Sequence, residues 1–488
     1  MQDLVNLING YVWSPALVYL CLAVGVYFTI RTRFMQVRHL REMVRLMFDG
    51  KASDEGVSSF QALTMTLSGR VGIGNIAGVA TAIAFGGPGA VFWMWMVAFL
   101  GASTSYVECC LGQIYKTNVD GQYRGGPAYY IERGLGMRWY AVVFALATIL
   151  GCGLLLPGMQ ANGIASGLNN AFGITPATSA LGIVIALGLI IFGGVKRIAR
   201  FAEIVVPFMA LGYILMACVV IALHIRDLPE VLRLIVSSAL SFDAGFGAMI
   251  GLAIQWGVKR GVYSNEAGQG TGPHAAAAAE VSHPAKQGIV QAFAVYVDTL
   301  FVCSATAFMI LITGKYNVAN PAGGFLFSGL PGIEAGTGFT QSAVESIFPG
   351  FGAIFVGIAL LFFAFTTILA YYYIAETNLT YLVQKHAGSG TALFLLKVML
   401  LATVVYGAVR TSDLAWGLGD IGVGLMAWLN IVAILMLQKP ALKALDDYEA
   451  QQAKGIEPQF DPRPLGIQNA DYWVERADNL VDEGDPRK

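Results

Sequence analysis

Charge is what this chain has least of. Only 12% of its 488 residues are Asp, Glu, Lys or Arg, about half the usual share, and the formal net charge is −1. There is no basic surface to release counterions, so nucleic acid is excluded as a partner. Few charges and 58 glycines also exclude a coiled coil or a disordered chain. Five histidines, His39, His224, His274, His283 and His386, are scattered without metal-ligand spacing. No Ser-His-Asp or Cys-His set accompanies them, and no enzyme chemistry or cofactor is expected. The six cysteines (Cys21, Cys109, Cys110, Cys152, Cys218 and Cys303) lie in apolar runs and read as small core hydrophobes, not a disulfide framework. The N-terminus, Met1-Gln2-Asp3-Leu4-Val5, lacks a basic region, so the first apolar span is expected to be retained.

What is abundant is hydrocarbon. Apolar residues make up 56% and mean hydropathy is +0.62. Many stretches reach the roughly 20 residues that cross a bilayer. The sequence predicts an all-α polytopic membrane protein with eleven spans: 14–30, 60–84, 89–115, 138–165, 178–194, 200–224, 243–272, 285–313, 350–380, 390–409 and 413–437. An N-terminus outside puts fifteen loop Lys and Arg on the cytoplasmic side, Lys51 and Lys385 among them. Only Arg226, Arg233, Lys315 and Arg410 then face out. The positive-inside rule therefore predicts an inner-membrane protein with N-terminus outside and C-terminus cytoplasmic.

Two segments stand apart by their glycines. Arg70-Val-Gly-Ile-Gly-Asn-Ile-Ala-Gly78 and Arg260-Gly-Val-Tyr-Ser-Asn-Glu-Ala-Gly268 share four of nine positions. Glycine weakens a helix and a buried cation is costly in lipid, so a plain anchor would carry neither. A duplicated break points to a 5+5 inverted repeat with two discontinuous helices, the way secondary transporters build a substrate site. The expected divisions are an extra span with an amphipathic segment at 33–49 (1–58), a first repeat (59–227), a second repeat (228–438) and a charged cytoplasmic tail (439–488). Residues 314–349 are expected to form a long outer loop, partly lid-like. Close helix packing through small residues is the alternative reading of one glycine cluster alone.

Val71-Gly72-Ile73-Gly74-Asn75 resembles the unwound first core helix of neurotransmitter:sodium symporters, which have the leucine-transporter fold. Gly86-Gly87-Pro88-Gly89-Ala90-Val91-Phe92-Trp93-Met94-Trp95-Met96-Val97-Ala98-Phe99-Leu100-Gly101 is similar to the signature of the sodium:alanine symporter family, of the amino acid-polyamine-organocation superfamily. The likeness extends through Ser264-Asn265-Glu266-Ala267-Gly268 and Val297-Asp298-Thr299-Leu300, and covers nearly the whole chain except the tail. It implies import of small neutral amino acids, chiefly alanine and glycine, with Na+ or, less often, H+ as the coupling ion.

The resemblance also implies roles. Backbone at Ile73 and Gly74 is expected to hold the substrate carboxylate, with Asn75 steering it or an adjacent cation. Carbonyls near Tyr263, Ser264 and Asn265 are expected to take the ammonium, and Gln160 to close the third side; Asn162 is the less certain neighbour. Carbonyls of Ser68 and Val71 with the hydroxyls of Thr366 and Thr367 are expected to ligate Na+, and Asp298 is a candidate for a second ion site. Threonines bonding back to their own helix, and amides joining helices, are the competing readings. Arg70, Lys259 and Arg260 need acidic partners, for which Glu108, Glu266 and Asp298 are candidates. A proton-coupled or broader small-amino-acid carrier is the runner-up. A channel or a receptor is the rival from another class. No protein partner is evident.

Overall fold

The computed structural model describes residues 2–50, 52–240, 247–383 and 389–483. Lys51, Lys385, His386 and the first residues of the expected span 243–272 lie outside the described residues. The chain is almost entirely helical. An entry pair, α1 (Gln2–Val12) and α2 (Pro15–Arg31), is followed by the short α3 (Met35–Arg38) and α4 (Leu40–Leu46). The expected amphipathic segment is thus two short helices, and Met35, Met43 and Leu46 on them are buried.

The first broken helix comes next. Ser58 caps α5 (Ser59–Arg70) through a reciprocal pair with Gln61. The ladder fails after Arg70, resumes as a π-helical turn at Gly74–Gly78 and continues as α6 (Val79–Gly86), with a 52° bend. Then follow α7 (Gly89–Ile114), a hairpin of β1 (Thr117–Val119) and β2 (Gln122–Arg124), α8 (Pro127–Leu135) and α9 (Arg138–Thr148). Helix α9 passes through a π-helical stretch, Ile149–Leu155, into α10 (Leu156–Phe172). Pro157 has no N–H to donate, so the turn before it cannot close an ordinary α-helical ladder.

The remaining elements are α11 (Pro176–Ile191), α12 (Val195–Leu223), α13 (Leu228–Leu240) and the second broken pair, α14 (Gly247–Asn265) and α15 (Gly272–Ala278). Between that pair, Glu266, Gly268 and Gly270 adopt left-handed φ of 56°, 83° and 87°, which no right-handed helix can carry. Then come α16 (Pro284–Val295), a π-helical stretch at Tyr296–Cys303 and α17 (Ser304–Thr313). The outer loop holds a hairpin, β3 (Asn317–Ala319) with β4 (Phe325–Ser328), and α18 (Thr337–Ile347). The chain closes with α19 (Gly352–Val383), α20 (Ser389–Ala408), α21 (Ser412–Ala453) and α22 (Asp471–Glu483).

Among the described residues, eight helices are long and apolar enough to cross a membrane, or nine when the bent α5–α6 pair counts as one. Eleven spans were expected. The two that differ are α11, with only 16 residues, and α14, with 19 residues that include Gln255, Lys259, Arg260, Ser264 and Asn265. Small residues let the helices touch. A Cβ on Gly407 of α20 would sit 2.1 Å from the Gly158 carbonyl oxygen of α10. All six cysteines are free, and all but Cys218 are buried.

Candidate functional site

The N–H groups of Gly72 and Ile73 would bond back to Ser68 and Gly69 in an unbroken helix. Instead Gly72 N–H donates to Asn75 Oδ1 at 2.8 Å, and Ile73 N–H donates to Gln160 Oε1 at 3.0 Å. Two amide side chains therefore hold the break open, and the Ser68 and Gly69 carbonyls are released from the ladder. Gln160 also donates through Nε2 to the Tyr263 hydroxyl at 3.1 Å, so one side chain of α10 ties the first broken helix to α14. The Tyr263 ring lies over Gly74, where an added Cβ would come within 2.9 Å of it.

The two threonines of α19 part company. Thr367 Oγ1 lies 3.4 Å from the Val71 carbonyl oxygen and donates to Phe363 O at 2.9 Å. Thr366 Oγ1 bonds back to Phe362 and Phe363 carbonyls and lies 3.8 Å from Met209 Sδ on α12. Successive helical positions point about 100° apart, so only Thr367 reaches the break. Asn162 donates to Gly407 and Arg410 carbonyls and accepts from Ser412, joining α10 to the α20–α21 turn.

Asp298 is the centre of a third cluster. Its carboxylate, fully buried in the π-helical stretch, accepts from Asn75 Nδ2 at 2.6 Å, Ser264 Oγ at 2.9 Å and Thr299 Oγ1 at 2.7 Å. Asn265 reaches Thr299 Oγ1 at 3.4 Å, and Thr306 donates to the Asn75 carbonyl at 2.6 Å. Among the described residues no Lys, Arg or His stands within ion-pair distance of Asp298. Neutral donors alone surround a buried carboxylate, and a cation at that point would be strongly favoured.

The buried charges correct two expectations. Arg70 has no acidic partner within 4.0 Å among the described residues; it donates to the Gln291 carbonyl and to Ser105 Oγ, both at 3.0 Å. Lys259 and Arg260 share Asp420 of α21, each at 2.7 Å, an acid that was not among the candidates. The Arg260 guanidinium also lies 4.4 Å from the Trp416 ring centroid. Glu108 accepts from Gly268 N–H at 3.2 Å, Gly270 N–H at 3.1 Å and Asn430 Nδ2 at 2.7 Å. It thereby satisfies two main-chain donors of the second break, between α14 and α15. Glu266 accepts from Thr271 Oγ1 at 2.7 Å.

The paired motifs break at different points. The first break follows Arg70 directly, whereas α14 runs on past Arg260 to Asn265. Tyr263 and Ser264 lie in its last turn: Ala267 N–H donates to Asn265 Oδ1 at 3.0 Å and Gly268 N–H to Glu108 Oε1 at 3.2 Å, which leaves the Tyr263 and Ser264 carbonyls without ladder partners. A cleft of about 450 Å³ descends to the first break from the side of the outer loop, lined by Ile73, Ala77, Gly163 and Trp416 among others. Beyond the break, between α5, α15 and α19, lies a small cavity of about 10 Å³ around Gly69, Glu266 and Gly272.

The model of the sodium:alanine symporter family matches residues 1–462. A putative sodium/proton-dependent alanine carrier protein of Bacillus subtilis (strain 168) is 61% identical over 473 residues, 97% of this chain and 98% of that one. A sodium/proton-dependent alanine carrier protein of Bacillus sp. (strain PS3) is 54% identical, covering 88% of this chain and 97% of its own. A sodium/alanine symporter of Methanococcus maripaludis is 37% identical, covering 93% and 99%. Among solved structures, a manganese transporter of Eremococcus coleocola matches with TM-score 0.53 at 12% identity, over 86% of this chain and 92% of that chain. That likeness concerns the fold.

Proposed function

The chain belongs to the sodium:alanine symporter family, and from that premise we propose that it imports small neutral amino acids, alanine and glycine, with Na+ by alternating access. The observation that carries this reading is the first break, where main-chain donors, freed carbonyls, Thr367 and the Asp298 cluster converge below an open cleft. The amino-acid carboxylate competes with Asn75 Oδ1 and Gln160 Oε1 for the N–H groups at Gly72 and Ile73. Gly74 gives it room beneath Tyr263. The ammonium meets the carbonyls at Tyr263 and Ser264, with Asn265 beside them and Gln160 closing the third side.

Na+ is a hard cation and wants oxygen. One ion takes the Ser68 and Val71 carbonyls with Thr367, and Thr366 joins only by turning its hydroxyl from the Phe362 carbonyl. A second takes Asp298 with Asn75 and Ser264. The frame of this reading is a 5+5 inverted repeat, 59–227 against 228–438, in an inner membrane with the N-terminus outside.

Proton coupling is the second reading. It is favoured by the names of two relatives, sodium/proton-dependent alanine carriers, and by a buried Asp298 with no cationic partner among the described residues. Calorimetric titration of the purified protein with alanine tests the proposal. Affinity rising with Na+ at constant pH supports Na+ symport. Affinity that follows pH and ignores Na+ supports the second reading.

A further inference from the structure

The strongest unexplained construction lies at the far end of the chain. Past α21 the chain turns at Gly455 and returns beneath the bundle as an extended strap leading into α22. Several of its anchors fall on residues 280–286, which closely follow α15. Ser282 donates to the Pro458 carbonyl at 2.8 Å, and Phe460 N–H donates back to Ser282 at 3.1 Å. Lys286 pairs with Glu457, and Arg476 pairs with Glu280.

The tightest seat is aromatic. Trp473 is fully buried although its neighbours in sequence are largely charged, and its indole N–H donates to the Gln113 carbonyl at 2.8 Å. Lys116, also fully buried, places its ammonium 4.2, 4.4 and 5.3 Å from the ring centroids of Tyr123, Tyr472 and Trp473. The same ammonium donates to the Ala279 carbonyl at 2.9 Å. Val57 completes the join with main-chain bonds to Ala278 and Glu280. The family model stops at residue 462, short of this seat.

Helix α15 is the near wall of the closed side, packed on α5 and α7. Parting α15 from them would open a path on that side, and such movement would pull residues 279–283 along. That would lift Ala279 from Lys116 and Glu280 from Arg476. We propose that residues 454–483 form an autoinhibitory latch, in which Trp473 over Lys116 and Arg476 on Glu280 hold α15 shut. The inference rests on the carrier reading for its consequence, slower turnover, but not for the movement itself.

The test uses full-length protein in proteoliposomes, with Trp473→Ala, Trp473→Phe and Arg476→Gln. Two quantities are read: the initial rate of Na+-driven alanine uptake, and alkylation of Cys109 by N-ethylmaleimide, located by tandem mass spectrometry. Cys109 reports on the α7–α15 contact, since a Cβ on Gly272 would lie 3.1 Å from its sulfur. Trp473→Ala and Arg476→Gln are expected to raise both rates at least twofold, while Trp473→Phe stays close to wild type. Should Trp473→Ala fail to fold, Arg476→Gln, at a half-buried site, decides alone. Unchanged Cys109 alkylation in the folded variants overturns the latch, as does faster alkylation with unchanged or slower uptake. Wild type that moves no alanine counts against the carrier reading, and the Cys109 readout then still judges the contact.

Discussion

Asn75 Nδ2 donates to Asp298 Oδ1 at 2.6 Å, across 223 positions of sequence. The other end of the same amide holds Gly72 N–H. One side chain therefore connects the opened backbone of the first broken helix to a carboxylate in a helix of the second half. In the proposed mechanism that side chain is the contact through which ion and substrate binding are coupled.

Asp298→Asn keeps the shape and removes the charge. It is expected to raise the Na+ concentration needed for half-maximal alanine binding by tenfold or more. Calorimetry across a Na+ series reads this directly. A variant with wild-type Na+ dependence would take Asp298 out of ion binding.

The two threonines should separate. Thr367→Val removes the hydroxyl beside the Val71 carbonyl, and half-maximal uptake should need several-fold more Na+. Thr366→Val removes a hydroxyl that bonds within its own helix, and should shift Na+ dependence less. Equal shifts would mean that both hydroxyls face the ion in the bound state. No shift in either would move the ion elsewhere.

Gly74→Ala is expected to abolish alanine binding while the protein still reaches the membrane. The new methyl would meet the Tyr263 ring at 2.9 Å, in the space assigned to the ligand. Normal binding by this variant, measured on protein that elutes as a single species, would place the substrate away from the break.

Gln160→Ala should weaken alanine binding by about 1–3 kcal/mol, the usual cost of leaving a buried polar partner unmade. It releases both Ile73 N–H and the Tyr263 hydroxyl. Wild-type affinity at saturating Na+ would show that neither contact matters to the ligand.

Asp420→Ala strands two buried cations. Breaking a buried pair by removing one partner costs about 3–5 kcal/mol. The melting temperature in detergent should fall clearly, and Asp420→Asn should fall less because it keeps hydrogen-bond acceptance. An unchanged melting temperature would mean that solvent reaches Lys259 and Arg260 more freely than their burial implies.

Much of the site was legible because glycine and amide residues are conspicuous in a hydrocarbon-like sequence. Ile73, Gly74, Asn75, Gln160, Tyr263, Ser264, Asp298 and Thr367 are brought together in space. What pairs across the fold was not legible. Asp420 stands 160 positions from Arg260, and nothing local to either names the other. The second break was displaced because its helix does not fail at the shared Arg. It fails at the left-handed residues 266, 268 and 270, whose φ no motif match reveals. The expected spans at α11 and α14 differ from the long apolar helices because one is short and the other polar. In the tail, Tyr472-Trp473 in a charged segment was the visible signal of a docking point, and it was not read.

The most direct test is uptake of labelled alanine into proteoliposomes under a Na+ gradient and, separately, a pH gradient, each without the other. The account predicts accumulation above equilibrium with the inward Na+ gradient, lost when that gradient is collapsed, and little with the pH gradient alone. Accumulation driven by the pH gradient in the absence of Na+ would contradict Na+ symport.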